Sequence, residues 1–280
     1  MIFEKAFLAC TLELLAPKPG NVNRYYDFKN KTIIDFMYGS IAVARTMRDI
    51  YLGKNVGDAI LEGVQTMIRL AKGNTHLGIM IMFFPIVIAS RDLFFWNRLE
   101  LSKKATEALK ETSPEDTAKI AKAIKYVSPP LPPIKEKKMD ALVDNVLSNI
   151  LSEKVNAYEW FKYGSESNIV ARELVSGYPV TIEASKFIEE HMANVGLSEA
   201  IVRASIYVLS KNIDTHMLAE KGENIATEAT NRAKEVVKSG YDENLIRELD
   251  QWLRTNEANP GATADIVTTA IFLLTMEGVL

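Results

Sequence analysis

At 280 residues the chain can bury one large core, and a single domain spanning 1–280 is the expectation, with two fused halves the alternative. Its 33 Lys and Arg nearly balance 36 Asp and Glu, a formal net charge of -3, which leaves no basic field for nucleic acid or an anionic membrane and points to small-molecule partners. Cys10, the single cysteine, excludes an intramolecular disulfide and a cysteine-rich metal site; without a cleavable leader pattern, a cytoplasmic protein is expected.

In chain order the pattern is helical almost throughout. An apolar run ending in "LELL" (12–15) stops abruptly at Pro17-Lys18-Pro19-Gly20. From Ile33 to Leu52, Ile34, Met37, Ile41, Ala44 and Met47 recur at three- and four-residue steps, the spacing of one helix face. The same period runs through 59–70. The run "LGIMIMFFPIVIA" (77–89) is too short to span a bilayer, contains Pro85 and ends at Arg91-Asp92, so it reads as a buried core helix. "SPPLPPI" (128–134) lacks the backbone donors a helix needs and marks a stiff loop or a domain divider. Helical periodicity resumes over 141–151, 200–209, 225–237 and 264–274. Between them, "YPVTIEA" (178–184) reads either as a strand or as a helix opened by Pro179. These elements predict an all-α fold.

Four segments beside these helices are rich in small polar residues: "PKPGNVNR" (17–24), "KGNTHLG" (72–78), "NIDTHMLAEKG" (212–222) and "NEANPGATAD" (256–265). A helix N-terminus presents unpaired N–H groups that suit phosphate oxygens, and glycine lets backbone approach closely. Each segment also has a plain structural reading, because Asn74 and Asn259 are good N-caps and Asn-Pro-Gly is ordinary turn chemistry. The chain contains neither a Walker A loop nor G-x-G-x-x-G.

Taken in order, "ELLAPKPGNVN", "GNTHLG", "DTH" followed by "KG", and "NPGATAD" resemble the signatures of the triphosphoribosyl-dephospho-CoA synthase family, in a divergent, archaeal-like branch. These helical enzymes prepare the prosthetic-group precursor of citrate lyase and malonate decarboxylase. The matching positions are Lys18, Pro19, Gly20 and Val22; Asn74, Thr75, His76 and Gly78; Asp214, Thr215, Lys221 and Gly222; and Pro260, Gly261, Thr263, Ala264 and Asp265.

The resemblance implies transfer of the triphosphoribosyl group of ATP to the 2'-hydroxyl of 3'-dephospho-CoA, or a similar small acceptor, with release of adenine. Such a site needs negative charge beside an oxocarbenium-like ribose, a base for the incoming hydroxyl, and Mg²⁺ on the triphosphate. Glu13, Asp214 and Asp265 are the implied catalytic and metal-binding carboxylates. Lys18, Gly20, Asn21, Ser40, Asn74, Thr75, His76, Gly78, Thr215, Lys221, Gly261 and Thr263 are the implied nucleotide-binding set. Lys18, between two prolines in what reads as an exposed loop, is expected to aim its ammonium at phosphate. Arg24 could extend that contact, and Tyr25 and Tyr26 could stack on a base or cover the core edge. His76 could contact phosphate, relay a proton or be structural, and His216 could cap a helix or line the pocket. Two other classes stay open: a related ribosyltransferase or nucleosidase with another acceptor, and a non-catalytic nucleotide-binding helical protein.

Overall fold

Two helices that are apolar on every side form the centre of the molecule. In the computed structural model, which describes residues 1–28, 30–93 and 95–280, the chain runs through α1 (Ile2–Leu15), α2 (Ile33–Tyr51), α3 (Val56–Ala71), α4 (Leu77–Ala89), α5 (Arg98–Lys110), α6 (Pro114–Val127), α7 (Val146–Glu153) and α8 (Ala157–Gly164). It continues through α9 (Ile169–Ser176), α10 (Pro179–Val195), α11 (Leu197–Lys211), α12 (Thr215–Lys221), α13 (Glu223–Lys238), α14 (Glu243–Thr255) and α15 (Gly261–Glu277). Among the described residues there is no strand, so the fold is all-α, as the periodicity predicts.

The all-round hydrophobicity of α4 demands burial on all sides, and α15 meets it as the partner. Phe83 and Phe272 stack between them with ring centroids 4.1 Å apart. Pro85 removes one donor inside α4. Tyr178, fully buried, donates its hydroxyl to the Met82 carbonyl at 2.9 Å, which ties the start of α10 to this helix. The surrounding helices turn an apolar face onto this pair and join it in a continuous core. No described helix is long and apolar enough to cross a membrane.

Helix starts follow local chemistry. Thr32 with Asp35, Ser113 with Asp116 and Asn156 with Glu159 close reciprocal capping boxes. Segment 178–184 resolves as the opening of α10, with Pro179 in the first turn, where its missing N–H costs nothing. The helix expected over 141–151 begins only at Val146. The Asp140 carboxylate accepts from the Leu142 N–H (2.9 Å) and the Asp140 carbonyl from Val143, a local turn that competes with helix.

Candidate active site

The four polar segments, three of them directly preceding α4, α12 and α15, meet at one cleft. Its central chamber, about 140 Å³, is lined by Glu13 from α1, Asn21 and Lys31 from the following loop, Asn74 to Gly78, His216, and Asn259, Gly261, Ala264 and Asp265. Helix α1 ends at Leu15, and Pro17 and Pro19 cannot continue it. Gly20 then adopts φ 74 and packs so closely on Leu253 that a side chain there would collide; its N–H donates to Asp250 (2.8 Å), fixing the loop on α14.

Asp265 lies on the wall of this chamber; its main-chain oxygen accepts from the Thr269 hydroxyl (2.7 Å), and its carboxylate makes no hydrogen bond among the described residues. Gly78 makes its position possible, since a Cβ at that residue would occupy the space of the Asp265 carboxylate. Burial, followed by the charges of Asp214 and Glu13, pushes the Asp265 carboxyl well above the ordinary carboxylate range. Asp214 is differently placed. It is buried, and its oxygens accept from the Met217 N–H (2.9 Å), the Thr263 N–H (2.7 Å) and the Thr263 hydroxyl (2.8 Å), so it caps α12 and clamps that helix to α15. Thr215 is also buried, its hydroxyl accepting from Ile169 N–H.

Lys18 is fully buried, not an exposed loop residue. Its Nζ lies 2.8 Å from Glu13 Oε1 and donates to the Glu13 carbonyl, also at 2.8 Å. The Lys18 side chain turns back onto the last turn of α1, where Glu13 is 6 % exposed. The ammonium therefore holds a carboxylate, and the chamber is lined by Glu13 rather than by Lys18. Asn23, also buried, closes the same loop by donating to the Asn21 carbonyl. Asn259 accepts from the Asn21 amide (2.9 Å) and is not the cap of α15, which is Pro260.

His76 is buried, and desolvation lowers its pKa to about 3, so the ring is neutral. Ser40 donates to the Phe36 carbonyl (3.0 Å) and lies 3.2 Å from His76 Nε2. That arrangement assigns the proton to Nε2, with the Ser40 oxygen as its acceptor. Nδ1 and the Thr75 hydroxyl have no hydrogen-bond partner among the described residues and press on Gly39, where a Cβ would displace both. Asn74 caps the start of α4 through the Leu77 N–H (3.1 Å), and its carbonyl accepts from Lys31. Gly261 gives His216 its place, because a Cβ there would meet the imidazole edge.

Two further spaces open from this chamber. A wide mouth of about 580 Å³ carries Gly20, Lys31, Lys221, Arg254 and Asn259. Lys221 is loosely paired with Glu257 (3.7 Å), and Arg254 is held by Asp250 (2.9 Å) above the Tyr26 ring. The other space, about 180 Å³, is walled by the proline segment 129–132 with Trp160 and Phe161, and it reaches Asp265. Lys31, Arg254 and the proline walls carry no motif. Their only sequence signal was the stiffness of 128–134, which the structure places as a cleft wall.

The donor set limits how a cation fits. Among the described residues no three His, Cys, Asp or Glu side chains are grouped to hold a metal, so Glu13, Asp214 and Asp265, the implied metal-binding carboxylates, do not act as one three-carboxylate set. Asp214 is committed to backbone and hydroxyl donors. Mg²⁺ needs only one or two carboxylates when phosphates and waters complete its shell. Glu13, with one oxygen fixed by Lys18 and the other without a hydrogen bond among the described residues, fits that lesser role.

Comparisons with known proteins bear on the family and the fold. A solved structure from Archaeoglobus fulgidus, assigned as a triphosphoribosyl-dephospho-CoA synthase, superposes with a TM-score of 0.70 at 25% identity, covering 86% of this chain and 98% of that one. No curated protein matches the sequence. The family model described as ATP:dephospho-CoA triphosphoribosyl transferase, CitG, matches residues 2–279. With the match spanning nearly the whole chain, and its polar helix ends gathered around one acidic chamber, this protein belongs to the ATP:dephospho-CoA triphosphoribosyl transferase family.

Proposed function

We propose that the cleft carries out the family's transfer with the ribose of ATP in the central chamber, its triphosphate at the mouth, and Glu13 and Asp265 on either side of the reacting carbon. One observation carries this reading. The Asp265 carboxyl group has no hydrogen-bonded partner among the described residues and lies on the wall shared by the central chamber and the proline-lined space. Leaving such a group unpaired is costly unless a ligand uses it.

In the proposed step the acceptor 2'-hydroxyl gives its proton to Asp265 and its oxygen bonds to the anomeric carbon. The carbon–nitrogen bond breaks, and adenine leaves with the electron pair and is protonated from solvent. A carboxylate whose proton affinity is raised by burial and by neighbouring charge is the better base for a hydroxyl. Glu13 supplies fixed negative charge beside the electron-poor carbon, and Lys18 holds it in orientation. Lys31, Lys221 and Arg254 offer cationic donors to the triphosphate. Mg²⁺, when bound, would neutralise phosphate charge, with Glu13 as its protein ligand.

Asp214 and Thr263 position α15, and Asn74, His76 and Ser40 shape the floor. The continuous core supports reading residues 1–280 as one catalytic domain. ATP as donor and the lone buried thiol of Cys10 support action in the cytoplasm. The test is adenine release from ATP with and without dephospho-CoA. Release that depends on the acceptor supports transfer, release without it supports a nucleosidase, and none with either rejects the reading.

A further inference from the structure

The proline-lined space is walled by apolar side chains that no motif accounts for, chiefly Ile124, Leu131, Met139, Trp160 and Phe161. It shares Asn74, Leu77, Gly78, His216 and Asp265 with the central chamber. The mouth, which carries Asp27, Glu220 and Glu257 as well as Lys31, Lys221 and Arg254, includes Asn74 and His216 but not Asp265. This distinction decides the occupant, on the proposed placement of the donor sugar at Asp265. The base of a nucleotide is one bond from its anomeric carbon, so it must occupy a space that opens at Asp265. The triphosphate, several bonds away, suits the mouth. A pantetheine arm is separated from the acceptor ribose by two phosphates and has no reason to begin at Asp265.

We infer that the proline-lined chamber holds a 6-aminopurine base, adenine, and that Asp140 and Asn168 read its amino edge. The space is adequate: an apolar cavity of about 150 Å³ accepts a benzene ring, and this one, about 180 Å³, is open at one side. Flat apolar and aromatic walls suit the faces of a base. Its polar edge needs partners, because an unpaired buried donor or acceptor is costly. Three polar residues line this chamber and neither of the others: Asp140, Asn168 and Thr215. Thr215 already accepts from Ile169. The oxygen of Asn168 accepts from the Val170 (2.9 Å) and Ala171 (3.3 Å) N–H groups, which leaves its amide NH₂ as a donor for a ring nitrogen. Asp140 spends one oxygen on Leu142 N–H, and its other oxygen makes no hydrogen bond among the described residues. A carboxylate only accepts, so it matches an exocyclic amino group and repels the carbonyl of a 6-oxopurine.

The experiment has two parts. Free adenine and free hypoxanthine are titrated into the intact wild-type protein by tryptophan fluorescence, with Trp160→Phe identifying the reporter. Adenine is expected to change the Trp160 signal at concentrations where hypoxanthine does not. In parallel, Asp140→Asn is assayed with ATP and with ITP at varied dephospho-CoA. The substitution keeps an acceptor for Leu142 and turns the second group into a donor, so the preference for ATP over ITP should fall roughly 10-fold or more. The KM for dephospho-CoA and the melting temperature should stay unchanged. If that KM rises while the ATP:ITP ratio holds, the adenine bound there is the acceptor's, not the donor's. Equal response to both free bases, with an unchanged ATP:ITP ratio and acceptor KM in folded Asp140→Asn, overturns the inference. Adenine binding at Trp160 by a protein that releases no adenine from ATP would overturn the transfer reading and leave the base chamber standing.

Discussion

Lys18 and Glu13 form a buried ion pair across the end of α1, with Nζ 2.8 Å from both Oε1 and the main-chain oxygen of Glu13. One cation thus satisfies the helix terminus and fixes the carboxylate that lines the chamber. Removing one partner of such a pair leaves the other charge buried, at a cost of roughly 3–5 kcal/mol. Lys18→Ala should lower the urea-unfolding free energy by about that amount and depress activity through misplacement of Glu13. Lys18→Met combined with Glu13→Gln should recover most of the stability and none of the activity. Equal stability of Lys18→Ala and wild type would contradict the pairing.

Gly78 and Asp265 share a space that has no room for a Cβ. Gly78→Ala should therefore displace the Asp265 carboxylate. A displacement of about 1 Å costs on the order of 100-fold in rate, and this is the expected loss in adenine release. Alanine also favours helix over glycine by about 1 kcal/mol, so the melting temperature should change little. An active Gly78→Ala enzyme would argue against a reacting role for Asp265.

His76 gives a signed pH dependence. Its native pKa is lowered from 6.5 to about 3 by burial, so below pH 6.5 the unfolded chain binds a proton that the native state does not. The stability this provides is complete above pH 6.5 and declines by about 1.4 kcal/mol per pH unit as pH falls through the window down to about 3. In His76→Gln the slope of unfolding free energy against pH in that window should be shallower by about one proton. Urea titrations from pH 6.5 to 4 measure it, and identical slopes would mean that the imidazole is protonated in the native protein.

Asp214 and Lys31 separate support from binding. Asp214→Asn weakens one helix cap and two bonds to Thr263, an expected loss of about 1–3 kcal/mol of stability. Lys31→Ala and Arg254→Ala should instead raise the KM for ATP, more at low salt than at high, with stability close to wild type. A salt-independent KM in both variants would remove them from the triphosphate mouth.

Much of this was legible in the sequence, for reasons that also set the limit. Small polar residues beside apolar helices marked the four segments that converge on the cleft, and the periods of α2, α3, α11, α13 and α15 located those helices within a few residues. The burial of Lys18 was not legible. Its prolines fix the backbone, but only the path of the loop over α14 shows that the ammonium turns inward. Asp214 read as a reacting carboxylate because its motif neighbours do not reveal that Thr263 fills its lone pairs. Lys31, Arg254 and Asp140 become neighbours of the cleft only through tertiary packing. "SPPLPPI" announced rigidity without saying which surface it would wall.

In the proposed transfer Asp265 faces the anomeric carbon, and Asp265→Asn probes that role while nearly conserving shape. The measurement is single-turnover adenine release from ATP with dephospho-CoA, made beside a thermal melt of the same sample. A fall of about 10²–10⁴-fold, the range for loss of a general base, is expected, with an unchanged melting temperature. Release within a few-fold of wild type by the folded variant would contradict that role.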